Sequence, residues 1–132
     1  MRALIGRLSD DELRRPANPE WTIAATLLHL AYWDTRSLWL ADKIERGEPF
    51  TKAEVEPEPP TWINDICRPF LHAIAPRDAA RLALRTAEEV DRRVAALPPE
   101  KLWPNDKTSL LNAFRSEHRR EHLGKIEEAL RS

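Results

Sequence analysis

The chain has a single cysteine, Cys67, among its 132 residues. One thiol closes no disulfide within the chain, so a packed core must hold the fold, and a reducing compartment is expected. Glycine is scarce, at three, which excludes a flexible linker. No apolar run approaches the roughly 20 residues of a membrane span. The opening Met1-Arg-Ala-Leu-Ile-Gly-Arg-Leu8 is too short and too quickly charged for a secretory signal. An excess of one charge is also missing, since 21 Lys+Arg meet 22 Asp+Glu for a net charge of −1. That balance leaves no footprint for nucleic acid or an anionic membrane. The pairs Arg14-Arg15, Arg92-Arg93 and Arg119-Arg120 read as solvated faces balanced by acids. Alternating apolar and polar runs are absent, so no strand is expected. The reading is of a cytoplasmic protein that binds neither nucleic acid nor membrane.

What is present fits one globular domain over residues 1–132, with 42% apolar and 33% charged residues. Leu4, Ile5 and Leu8 mark a short first helical piece, and Ser9 with Glu12 has capping-box spacing. Thr22 suits an N-cap, and the spacing predicts a helix over 23–46, stopped by Gly47 and Pro49. That helix is apolar round most of its circumference, the pattern of one buried by several neighbours. Residues 47–76 hold 6 of the 11 prolines. A shorter helix over 62–73 is expected inside this stretch, kinked or interrupted by Pro69. Helices over 77–97 and 109–130 follow, separated by Pro98-Pro99, the last with Leu111, Phe114, Ile126 and Leu130 on one stripe. A long connection lets the second and third main helices run parallel. The expected fold is an all-α four-helix bundle, up-down-down-up, with a long crossover between helices 2 and 3.

Histidines carry the chemistry. His118 and His122 stand i, i+4 on the last helix, so both imidazoles share one face within reach of one divalent ion. They continue the seam Leu111, Phe114, His118, His122, Ile126, where a bland bundle would carry leucine. His29 lies in Leu27-Leu28-His29-Leu30-Ala31. With the two helices antiparallel, His29, His122 and His118 fall about 10, 13 and 20 Å from the same end at 1.5 Å per residue. Three neutral imidazoles leave a coordination position open, which separates a catalytic site from a closed structural one. Zinc, nickel, iron and manganese all suit such ligands. The competing reading is a surface HxxxH pair beside a satisfied core histidine. His72 is read as a rim residue.

Two segments resemble a known family. Glu20-Trp21-Thr22-Ile-Ala-Ala-Thr-Leu-Leu-His29-Leu-Ala-Tyr-Trp-Asp34 and Glu117-His118-Arg-Arg-Glu-His122-Leu-Gly-Lys-Ile126 are similar to the two histidine segments of the DinB/YfiT-like metalloenzymes. The Leu-Ser-Asp-Asp-Glu-Leu phrase before the first segment also fits. The resemblance implies a four-helix bundle with His29, His118 and His122 as metal ligands. It implies a metal-dependent S-transferase, isomerase or hydrolase acting on small electrophiles, with a low-molecular-weight thiol as cosubstrate, and a homodimer. It also implies a first helix longer than eight residues, so that either an upstream start or a partner chain completes the bundle. On this reading Tyr32 and Trp33 either line the pocket or are core aromatics. Glu117 and Glu121 either serve as general base and hydrogen-bond partners of the ligands or are solvated partners of Arg120 and Lys125. Asp34 is open in the same way, and Cys67 reads as structural. The rival from another class is a non-catalytic metal-binding or protein-interaction bundle induced under stress. A pocket that reaches the metal separates the two.

Overall fold

A computed structural model describes residues 1–51, 54, 61–102 and 115–132. Its helices are α1 (Arg2–Arg7), α2 (Asp10–Arg14), α3 (Ile23–Arg46), α4 (Thr61–Ala73), α5 (Pro76–Ala96), α6 (Pro99–Leu102) and α7 (Arg115–Arg131). No strand occurs among the described residues; one isolated bridge joins Pro16 to Thr22.

Local chemistry sets these bounds. Ser9 Oγ accepts from the Glu12 amide at 3.1 Å, and the Glu12 carboxylate accepts from the Ser9 amide at 2.8 Å, closing the capping box of α2. Thr22 Oγ1 accepts from the Ala25 amide at 3.1 Å and starts α3. Gly47 ends α3 at φ 66°, a left-handed position that glycine takes without a Cβ penalty. Pro69 lies within α4 without ending it. Proline has no N–H to donate to the carbonyl four residues back, and the exposed side of the helix lets water take that place.

Long-range pairs fix the topology. Leu27, Leu28 and Ala31 of α3 share a core with Ala79, Ala80 and Ala83 of α5. Further along, Asp42 and Glu45 of α3 meet Arg93 of α5, so the two helices run parallel. His29 of α3 meets His122 of α7, and Asp34 meets Arg115, so α7 runs antiparallel. Arg2 pairs with Glu88, while the Leu8 carbonyl accepts from Arg77 at 2.6 Å, so α1 runs antiparallel to α5. This is the expected up-down-down-up order. The opening 14 residues divide into two short helices, because the Ser9 cap begins a new one. The expected last helix includes Leu111 and Phe114, which lie outside the described residues.

Apolar packing forms two clusters. The larger joins Leu4, Ile5, Leu8, Leu13, Ile23, Leu27 and Ile126 with the small α5 residues. The smaller gathers Leu40, Ala41, Ile44 and Leu97 at the far end of α3. Each fully buried Leu or Ile contributes about 1.5–3 kcal/mol relative to exposure. On α4, Trp62, Ile66 and Phe70 stay exposed at four-residue spacing, a stripe along one face, and Ile74, just past the end of the helix, is exposed as well.

Candidate metal centre

The turn before α3 positions the first wall of the site. Asn18 Oδ1 accepts from the amides of Glu20 and Trp21 at 2.9 and 3.0 Å, which holds the loop closed. Trp21 then meets His29 edge-on, with ring centroids 5.6 Å apart. His72, on the exposed rim, lies 5.7 Å from Trp21, and its Nε2 accepts from the Thr22 amide at 3.4 Å. His29 is two turns into α3 and 9% exposed.

Across the helix interface, α7 brings His118 and His122. The ring centroids of His29 lie 5.9 Å from His118 and 5.1 Å from His122, and those two are 4.8 Å apart. One nitrogen from each ring lies within 4.8 Å of the others. A tetrahedral zinc with Zn–N near 2.1 Å holds its nitrogens about 3.4 Å apart, so ring rotations of about an ångström close the set. Three imidazoles from two rigid helices therefore fit a divalent ion.

All three rings are held neutral. Burial lowers His29 from 6.5 to about 4, assisted by the charges of His122, His118 and Arg115. Burial also lowers His118 to about 4, with the Arg115 charge next. His122 is lowered by burial and then by Lys125. Neutral imidazole is the ligating form, so at neutral pH no ring carries a second proton that a metal would have to displace. The lowered pKa values also link acidity to stability. In the unfolded chain these rings take up protons near pH 6.5, whereas in the folded chain His29 and His118 resist until about pH 4. The unfolded state therefore binds more protons in that window. Metal-free protein is expected to lose stability as pH falls from 6.5 to 4, with little change from these groups above 6.5. Urea midpoints at pH 7, 5.5 and 4.5 check it; equal midpoints would contradict it.

An open cavity of about 270 Å³ reaches the cluster. Asn18, Glu20, Trp21, Thr26, Asn64 and Asp65 line it beside His29 and His122. At its rim Arg68 pairs with Glu20 at 3.1 Å and with Asp65. Tyr32 and Trp33 are not among the lining residues; Trp33 lies 6.5 Å from the His29 ring and Tyr32 is 39% exposed. Glu117 and Glu121 face solvent, and Glu121 accepts from Lys125 at 2.7 Å. Cys67 is half-buried on α4.

A charged layer lies directly behind the histidines. Asp34 is fully buried, with Arg115 Nε donating to its Oδ1 at 2.8 Å and Arg119 Nε to its Oδ2 at 3.1 Å. Arg119 also forms a two-pronged pair with Asp91 of α5 at 2.8 and 2.9 Å. Arg119 is thus no solvated surface charge: it is 7% exposed, and only its neighbour Arg120 faces water. Two carboxylates from two helices explain how its charge is buried. The sequence held a signal for this layer. Arg115 and Arg119 share the i, i+4 spacing and the helix of the two histidines.

A helical bundle that gathers three neutral imidazoles beneath an open cavity belongs to the class of candidate metal-centre bundles. Its family is specific. A family model described as the DinB superfamily matches residues 1–126, and the chain belongs to that superfamily. No curated protein and no solved structure matches the chain.

Proposed function

We propose that the protein is a divalent-metal-dependent enzyme acting on a small electrophile with a low-molecular-weight thiol as nucleophile. The observation that carries this reading is the cavity ending on His29 and His122. A sealed cluster would favour a sensor or scaffold; an open pocket with mixed polar and aromatic walls favours catalysis. His29, His118 and His122 would hold the ion. Once bound, the ion would lower the pKa of a coordinated thiol or water and so supply a nucleophile at neutral pH.

The chain's own residues do the rest. Burial of His29 keeps its lone pair free of protons. Trp21 offers an apolar wall against which a small substrate stacks, while Asn18 and Asn64 offer neutral donors and acceptors. The thiol itself is supported by the family relationship. A cytoplasmic setting suits such a thiol. A homodimer belongs to the same proposal. The α4 ridge of Trp62, Ile66 and Phe70 can interdigitate with its own copy in four-four packing. Sedimentation at micromolar concentration checks the dimer, and a monomer would remove it.

The test uses untagged protein purified without chelator. Elemental mass spectrometry is expected to find near one divalent ion per chain. The loaded protein should then consume thiols against small electrophiles, and a His29→Ala variant should not. A chain that binds metal but turns over no pair in a broad screen would favour the non-catalytic bundle.

A further inference from the structure

Arg115 makes a contact that metal ligands do not ordinarily accept. Its Nη1 lies 2.9 Å from Nδ1 of His118. A guanidinium has five N–H donors and no lone pair, so His118 Nδ1 must be the acceptor. A neutral ring that accepts at Nδ1 carries its proton on Nε2, and neither nitrogen then offers a free lone pair. Metal-bound histidines usually have the reverse arrangement, donating their second N–H to a carboxylate or carbonyl. The contact with Arg115 and ligation by His118 therefore exclude one another.

Release of Nη1 has its own consequence. Arg115 is 4% exposed, and its buried Nη2 has no hydrogen-bond partner among the described residues. Freeing Nη1 leaves two buried donors of one guanidinium fork unmet, at about 1–3 kcal/mol each. Charge points the same way. Asp34 and Asp91 balance Arg115 and Arg119 in the charged layer. A divalent ion on three neutral rings adds two uncompensated positive charges beside that layer. Arg36 of α3 adds another nearby cation; burial lowers it first, and then the charge of Arg115.

We propose that Arg115 latches His118 in the metal-free protein and, once displaced by metal, becomes the binding fork for a small carboxylate anion at the loaded centre. The inference rests on the metal-centre reading above. Metal and anion then bind cooperatively, each raising the affinity of the other by the same factor.

Cobalt(II) absorbance titrations at fixed ionic strength, in chloride and in acetate, test the coupling. Acetate is expected to tighten Co²⁺ binding about tenfold in the unaltered chain. Arg115→Met removes both latch and fork, so Co²⁺ should bind more tightly in chloride and acetate should change the affinity less than twofold. Arg115→Lys keeps a cation for Asp34 and serves if the methionine variant fails to fold; it should show the same loss of the acetate effect. An acetate effect of equal size in the variants would mean that acetate meets the metal alone, and would overturn the proposal. A measurement without mutation stands beside it. Long-range ¹H–¹⁵N spectra of metal-free protein should show His118 protonated on Nε2. Protonation on Nδ1 would overturn the latch. If the unaltered chain binds no Co²⁺ but Arg115→Lys does, the latch is supported. If neither binds, the metal-centre reading fails, and the latch fails with it.

Discussion

Replacing His118 and His122 together by alanine is expected to abolish stoichiometric divalent-metal binding. The reasoning is local. The three nitrogens come from two helices, and α7 supplies two of them. Losing an outer hydrogen-bond partner of a metal ligand costs 10- to 100-fold in affinity. Losing two of three ligands should exceed that range, leaving one imidazole no better than a surface histidine. Isothermal titration with zinc, beside elemental analysis, reads the effect. The same variant carries a second expectation of opposite sign. Both lost rings are desolvated and kept neutral by the fold. Without them, the metal-free chain should lose less stability between pH 6.5 and 4 than the unaltered chain. Retained one-to-one zinc binding in the variant would show that the cluster is not the metal centre.

The second large effect lies at Asp34. Asp34→Ala is expected to destabilise the chain by about 3–5 kcal/mol, the usual result of breaking a buried ion pair from one side. Arg115 and Arg119 would keep their burial and lose the carboxylate that both Nε atoms use. Arg119 retains Asp91, whereas Arg115 retains, among the described residues, only the His118 ring. For a chain of this length the melting temperature should fall by roughly 10–20 °C. Glu121→Gln supplies the control, because its pair with Lys125 is exposed and such pairs contribute little. Differential scanning calorimetry of both variants decides it. An Asp34→Ala melt within about 2 °C of the unaltered chain would show that the layer carries no such stability.

These two sites differ in how far the sequence discloses them. His29, Thr22, Gly47 and the Ser9–Glu12 box are local signals. Each acts through its own helix, so spacing along the chain is enough to find the helices and to place three histidines at one depth. The charged layer is not local. Asp34 in isolation is a polar residue following two aromatics, and Arg119-Arg120 in isolation is a basic pair. The i, i+4 spacing puts Arg115 and Arg119 on the histidine helix, but their burial depends on α3, α5 and α7 meeting at one level, and that spacing does not name the carboxylates they meet. The cavity walls show the same limit. Trp21, Asn64 and Asp65 become neighbours because α4 folds back over the start of α3. Tyr32 and Trp33, one turn on from His29, do not line the cavity, although the Trp33 ring lies 6.5 Å from that of His29.

The charged layer also divides the interior. Leu13, Ile23, Leu27 and Ile126 pack on one side of it, and Leu40, Ala41, Ile44 and Leu97 on the other. Two apolar clusters of unequal size, separated by ions, need not open together. The small cluster can fray while Asp34 and its arginines stay paired, but the large one cannot open without unseating the histidines. Amide hydrogen exchange should reveal two tiers. Residues 40–46 and 92–97 should exchange through a low-energy opening, and residues 23–31 only through global unfolding. Loading with metal should slow the second tier and leave the first almost unchanged. The histidine end of the bundle would then be its most rigid part, with its breathing confined to the opposite end.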